Sequence, residues 1–343
     1  MTFVVTFLPG LASFVRSELE EFGGVTRLRV LDGRSEIAFS YAGSERRLLD
    51  LRTVLAAYRV LSFPVPRPRS LLSSEYLPSI ANAVSRVSSL NPSLPPRALR
   101  FGAAGADSAV FGRIANELES LTGLPRDQAD GNCHLRFRPS LAKKGWDVLV
   151  RLSTRPLSLR EWRTEAYPGG LNATIAAAMV RMTRPDPQDR YLNLMCGSGT
   201  LLVERLLVGP ARRAVGVDSS DAAGAATRGN LRSAGLSGRA EVLTGDIRRG
   251  ETLEGAGSFN VLVADPPWGD KHGSHRENRE LYETLLRTSA DMATDGASMV
   301  VATQELRLMD SLLSTTTAWR CDERIQVFAK GHHPCLYVLR RTP

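Results

Sequence analysis

Cysteine is scarce in this chain. Cys133, Cys196, Cys321 and Cys335 are scattered over 343 residues, and none forms a Cys-x-x-Cys pair. That spacing argues against a zinc ribbon, and a chain of this length has no need of a disulfide framework. His332, His333 and Cys335 crowd one short turn without a partner motif, so no metal site is expected. Long apolar runs are also missing, and nothing approaches the ~20 residues of a membrane-spanning helix. The apolar start, Met1 to Phe14, is broken by Pro9 and Gly10 and lacks a basic lead-in or a small-residue cleavage site, which argues against a signal peptide. The expectation is a cytoplasmic protein that neither enters a membrane nor depends on an obligate protein partner.

What is present suits a globular enzyme. The chain is 43% hydrophobic, enough for two or three cores and too apolar for disorder. Its net charge of +8 is unevenly spread: residues 1–168 hold 23 Lys and Arg against 16 Asp and Glu, a balance of +7. A basic front half is the electrostatic footprint of a polyanion partner, because each neutralised phosphate releases condensed counterions.

Thr2 to Leu8 reads as a strand, and Leu11, Phe14, Val15, Leu19 and Phe22 follow at helical spacing. Prolines 64, 66 and 68, and three more between Asn91 and Arg97, mark stiff connectors. Further on, a strand around Leu99 to Phe101 precedes a helix carrying Val110, Phe111, Ile114, Leu118 and Leu121, then strands at His134 to Arg138 and Trp146 to Leu152. Arg136 and Arg138 are two apart and so project from one strand face, with Lys143 and Lys144 in the following turn; together they are the candidate phosphate-contacting residues.

From Leu171 the pattern changes to alternating helices and strands, the signature of a parallel doubly wound sheet. Strands are expected at Arg190 to Leu194, Ala214 to Asp218, Glu241 to Thr244, Asn260 to Ala264 and Met299 to Thr303, with a closing hairpin around Gly331 to Pro334.

Open sheets of this kind hold ligands at the carboxyl ends of their strands, and three elements lie there. The first, Asn193-Leu194-Met195-Cys196-Gly197-Ser198-Gly199-Thr200, runs from strand into helix; its glycines let a ligand approach bare backbone. No Gly-Lys-Ser/Thr follows, so it is not a triphosphate loop. In the second, Asp218 ends the next strand with a carboxylate able to accept both hydroxyls of a ribose, and Asp246 with the Ile247 backbone ends the third, facing an adenine amino group. A glycine loop, a ribose acid and an adenine acid without a phosphate holder describe S-adenosylmethionine.

The third element is Asp265-Pro266-Pro267-Trp268-Gly269. An exocyclic base amine is a poor nucleophile because its lone pair is delocalised into the ring. An enzyme must orient it in line with the methyl group and take up its proton. Asp265 and the carbonyl of Pro266 are acceptors for the two amine hydrogens, neither proline adds a competing N–H, and Trp268 offers a stacking surface for an extruded base. An ordinary carboxylate pKa, ~4, is expected for Asp265.

These elements, with Arg160-Glu161-Trp162-Arg163, Tyr167 to Leu171 and Leu281-Tyr282, resemble the THUMP-domain RNA methyltransferases that form guanosine N2-methyl products. The resemblance covers nearly the whole chain. It implies an α/β protein with a ferredoxin-like domain (1–65), a THUMP RNA-binding domain (66–155), a linker (156–170) and a Rossmann-like class I methyltransferase domain (171–343). It also implies that the front half holds tRNA and that guanine N2 is the methyl acceptor. Three positions depart from the family pattern: Asn193 and Leu194 stand where relatives commonly carry Asp and Pro, and Trp268 stands where they carry tyrosine or phenylalanine. A C5-pyrimidine methyltransferase would need a cysteine nucleophile near the active-site loop, and the 265–269 segment has none. An rRNA target, an adenine N6 methyltransferase of DNA and a non-catalytic RNA-binding protein remain the alternatives.

Overall fold

Short runs rich in Val, Phe, Tyr and Leu make the front of the chain a sheet former. Its elements are β1 (Thr2–Thr6), α1 (Ala12–Glu21), β2 (Val25–Leu31), β3 (Glu36–Tyr41), β4 (Ala56–Phe63), α2 (Tyr76–Leu90), β5 (Leu99–Ala103), α3 (Ala109–Thr122), β6 (Cys133–Pro139) and β7 (Trp146–Arg151). The computed structural model describes the chain except residues 32, 128–131, 141–143, 250–252, 254–255, 269–274 and 330, and the side chains of 275 and 276. Lys143 and Gly269, singled out above, lie outside the described residues.

The first seven strands form one sheet in the order β2-β3-β1-β4-β7-β6-β5. The pairing that joins its two parts is β4 with β7, antiparallel from Tyr58↔Arg151 to Phe63↔Trp146. The sheet is thus continuous across the boundary expected near residue 65. On one side, α2 buries Leu77, Ile80, Val84 and Val87, and α3 buries Phe111, Ile114 and Leu118. Their i, i+3, i+4 spacing makes one apolar stripe per helix, packed with Leu99, Leu135, Val148 and Val150 of the sheet.

The remaining elements are α4 (Ala173–Met182), β8 (Arg190–Leu194), α5 (Thr200–Val208), β9 (Arg213–Asp218), α6 (Asp221–Ser233), β10 (Glu241–Thr244), β11 (Phe259–Ala264), α7 (His275–Met292), β12 (Ala293–Thr303), α8 (Leu306–Thr315), β13 (Trp319–Gln326) and β14 (Cys335–Arg341). The second sheet has the order β10-β9-β8-β11-β12-β14-β13. Strands β8 to β12 run parallel, and β14 closes the sheet antiparallel to β12. Parallel strands covered on both faces must be apolar throughout. Val261, Leu262, Val263 and Ala264 are all buried, as are Met299 to Ala302.

Chain contacts divide the protein into two units, Met1–Phe7 with Val15–Ser158, and Leu8–Phe14 with Leu159–Pro343. The division near 158 falls just beyond the end of the expected THUMP segment. Among the described residues, no helix is long and apolar enough to cross a membrane.

Candidate active site

The strand order reverses between β8 and β11, and there the carboxyl ends leave a crevice. Register fixes what lines it. Ala264 pairs with Leu194, Leu194 with Val217, and Val217 with Leu243, so these four residues form one level row across the sheet. The residues that follow them, Asp265, Met195, Asp218 and, two beyond β10, Asp246, top adjacent strands. At ~4.8 Å per strand the row spans about 14 Å, the length of an extended nucleoside bearing an amino-acid arm.

The turn after β8 is tight. Met195 has φ +51°, a conformation rare outside glycine, and Gly197 and Gly199 have φ +53° and +77°. At Gly199 a Cβ would lie 2.7 Å from Cγ2 of Thr227, so glycine is required there by both backbone and space. The loop is braced from below. Gly197 donates its N–H to Asp218 Oδ2 at 2.8 Å, Thr227 Oγ1 donates to the Gly197 carbonyl at 2.8 Å, and Asn230 Nδ2 donates to the Ser198 carbonyl at 2.9 Å. Asp218 Oδ1 also accepts the Ser220 N–H at 3.0 Å. Helix α5 then starts at Thr200 without a side-chain cap, leaving its first N–H groups to a ligand or water.

Asp246, partly exposed, is held by its neighbour: Arg248 Nη2 lies 2.6 Å from Oδ2, and this contact keeps the carboxyl below the usual range. Ile247 sends its side chain into the core, and its carbonyl accepts Thr288 Oγ1 at 3.2 Å. Asn193 is buried, and its Oδ1 has no hydrogen-bond partner among the described residues. Such an orphaned acceptor costs free energy unless a ligand or water meets it.

Asp265 is the most perturbed acid of the site. Crowding by the surrounding protein pushes its carboxyl up to about 8, against a smaller lowering by the indole N–H of Trp268, which donates to Oδ1 at 3.1 Å. Pro266 is buried and Pro267 exposed. The Pro267 carbonyl accepts the Tyr282 hydroxyl at 3.4 Å, and that hydroxyl also lies 2.6 Å from Thr303 Oγ1, tying the turn to α7 and β12.

The family described as RMKL-like, methyltransferase domain, matches residues 160–335. The chain belongs to this family. Over 92% of its length it is 24% identical to the tRNA (guanine(6)-N2)-methyltransferase of Methanocaldococcus jannaschii, covering 93% of that protein. It is 28% identical to the Bos taurus protein named tRNA (guanine(6)-N(2))-methyltransferase THUMP3 over 57% of this chain and 41% of that one. The crystal structure of TrmN from Thermus thermophilus superposes with a TM-score of 0.75 at 21% identity, covering 99% of both chains, and so shares the fold.

Within this methyltransferase, several residues expected to meet the cofactor turn their side chains inward. The Cys196 thiol is buried 3.7 Å from Thr227 Oγ1 and pushed up to about 12 by burial, which makes it inert packing. Ser198 is buried, and Thr200 Oγ1 accepts Arg163 Nη2 at 2.6 Å. What the loop can present is backbone, not these side chains. The pKa of Asp265 also corrects the ordinary value expected from sequence.

The arginine pair of the front unit needs a larger correction. Arg136 and Arg138 do share a face, but both converge on Glu36 of β3: Arg136 Nη1 lies 2.9 Å from Oε1, and Arg138 Nη1 lies 2.5 Å from Oε2. Glu36 is 2% exposed and Arg138 9%. Arg136 also sits over the Tyr58 ring at 5.6 Å. A buried carboxylate must be neutralised, and these guanidiniums do so; Arg138 is thereby withdrawn from the surface, whereas the Arg136 side chain stays 32% exposed. Lys144 is exposed.

Sequence reasoning missed the residues that hold the loop. Thr227 and Asn230 lie on α6, one turn apart, a spacing with no motif of its own. Arg160 pairs with Glu204 of α5 at 2.8 Å, and Arg163 reaches Leu171 O and Thr200, so the 160–163 run seen in the sequence fastens the start of α5. Met195, whose positive φ aims the chain around the crevice, could have been suspected only from its place before Cys-Gly-x-Gly.

Proposed function

We propose that this protein is an S-adenosylmethionine-dependent methyltransferase acting on the exocyclic N2 of a guanine in tRNA. The observation that carries the reading is the Asp265 to Trp268 turn at the tip of β11, beside a cradle with the donor and acceptor pattern of a nucleoside. The Methanocaldococcus jannaschii relative, similar end to end, is named for this reaction at guanine 6, which makes that nucleotide the first to test.

The residues present fit the cofactor. Asp246 faces the adenine amino group, with the Ile247 backbone beside it. Asp218 has lone pairs left for the ribose hydroxyls after serving Gly197 and Ser220. The orphaned Oδ1 of Asn193 and the uncapped start of α5 suit the two ends of an amino-acid arm, the ammonium and the carboxylate respectively. When bound, the cofactor supplies an electrophilic methyl group.

The chain's own groups do the rest. Asp265 accepts one hydrogen of the amine and the Pro266 carbonyl the other, which aims the nitrogen lone pair at the methyl carbon. The amine's second role for Asp265 is electrostatic: an approaching N–H donor favours the ionised carboxylate, which then receives the proton that methylation makes acidic. Trp268 supplies the flat surface for the extruded base. The basic front half, including Lys144, holds the RNA, and the ferredoxin-like and THUMP division at residue 65 belongs to this same reading.

The test is incubation of unmodified tRNA with enzyme and S-adenosylmethionine, followed by digestion and nucleoside mass spectrometry. N2-methylguanosine is expected. Methylation of adenine, or of a pyrimidine carbon, would replace the reading by one of its competitors.

A further inference from the structure

Trp268 ends the described part of the active-site turn, and its indole has a definite geometry there. An indole can do what a phenyl ring cannot: donate a hydrogen bond from its edge. Here it does so to the catalytic carboxylate, Trp268 Nε1 to Asp265 Oδ1 at 3.1 Å. No described residue bonds Oδ2 of Asp265.

The indole is itself held. His332, on the turn between β13 and β14, meets it edge to face with ring centroids 5.9 Å apart and planes at 75°. His332 Nδ1 lies 3.2 Å from Gln304 Nε2, and Gln304 Oε1 accepts the His333 N–H at 3.2 Å. Gln304 follows β12 directly, so the histidine pair that had no role in the sequence is anchored to the sheet and reaches the active-site turn.

We propose that Trp268 is a positioning residue, whose indole N–H pins Oδ1 of Asp265 and leaves Oδ2 as the carboxylate oxygen presented to the substrate amine, while His332 braces the indole from the side. The inference rests on the proposed amine substrate. With one oxygen fixed, the carboxylate plane is fixed, and the amine meets an acceptor in one orientation instead of two. The same N–H opposes the effect of burial and so keeps ionisation of Asp265 within reach near neutral pH. Among the described residues, the titratable groups around the turn include Tyr282 on α7, Glu305 after β12, Tyr337 on β14 and His332 on the hairpin. Burial and the indole N–H are the influences that set the Asp265 carboxyl itself.

Two replacements separate the N–H from the ring. Trp268→Phe removes the donor and shrinks the ring. Site-specific exchange of Trp268 for its benzothienyl isostere, with sulfur in place of N–H, removes the donor alone and covers the case in which the phenylalanine variant does not fold. For each, thermal stability is followed against pH with Asp265 and with Asp265→Asn. Stability falls relative to Asp265→Asn from the unfolded carboxyl's pKa upward, and the upper pH at which that fall levels off reports the folded carboxyl without any substrate. Loss of the N–H should move that upper limit upward by about one pH unit, and the acid limb of kcat/KM should follow it, with kcat lowered and KM for RNA little changed in the isostere. Superimposable profiles, with and without the N–H, would overturn the proposal. A shifted stability profile in a protein that leaves guanine unmethylated supports the clamp on Asp265 and overturns only the guanine assignment.

Discussion

The carboxylate of Asp218 accepts the N–H of Gly197 at 2.8 Å, so the residue expected to hold the cofactor's ribose also holds the loop that shapes the cofactor's cradle. One side chain thus couples the ends of β8 and β9.

Replacement of Asp218 should therefore act twice. Asp218→Ala removes the ribose acceptor and frees Gly197, and a charge-assisted hydrogen bond is worth ~1.5–3 kcal/mol. Calorimetry should show S-adenosylmethionine affinity weakened by about 10- to 100-fold or more. Unchanged affinity would remove Asp218 from the cofactor site.

Gly199 is a purely steric requirement. Gly199→Ala places a methyl group 2.7 Å from Thr227 at φ +77°, so both the strain and the contact oppose it. A loss of about 1–3 kcal/mol in stability, read by urea denaturation, is expected.

The Glu36 cluster is a brace. Glu36→Gln leaves Arg138 buried with its charge uncompensated, and breaking a buried pair from one side costs about 3–5 kcal/mol. A double replacement, Glu36→Leu with Arg138→Met, should be less destabilised than Glu36→Leu alone. If the single and double variants unfold at the same denaturant concentration, the arginine is not committed to Glu36.

Asp265 makes stability depend on pH in a defined direction. Its folded carboxyl titrates near 8 and its unfolded one near ~4. Between those values the folded protein keeps a proton that the unfolded chain has released, so stability falls as pH rises through the window. Asp265→Asn removes this slope, so the difference in Tm should move in the variant's favour from about pH 4 to about pH 8 and level off above that. A constant difference would mean that the carboxyl is not buried as described.

The second unit was legible because buried parallel strands announce themselves. Asn260 to Ala264 and Ala214 to Asp218 are short apolar runs, and the structure places strands at Phe259–Ala264 and Arg213–Asp218. The front unit was less so. β2 and β3 lack a sharp period or a bounding motif; α2 went unread although Leu77, Ile80, Val84 and Val87 carry a helical period between the two proline connectors; and the β4–β7 pairing joins residues nearly a hundred positions apart, which no local pattern encodes. At the site, the motifs told which residues stand in the loop but not which atoms face the crevice. Thr200 turns its hydroxyl inward because Arg163, remote in sequence, waits for it there, and Asn230 holds the Ser198 carbonyl from below. Arg136 and Arg138 read as a basic stripe because their partner, Glu36, lies a hundred residues earlier.

The central claim is that an exocyclic guanine amine is methylated against Asp265. Nucleoside mass spectrometry on one unmodified tRNA, treated in parallel with the natural protein and with Asp265→Asn, tests it most directly when cofactor affinity is measured on both. The account predicts N2-methylguanosine with the natural protein and at least a hundredfold less, ~10²–10⁴, with the variant, at similar cofactor affinity. Equal product from both proteins, or a methyl group on another atom, would contradict it.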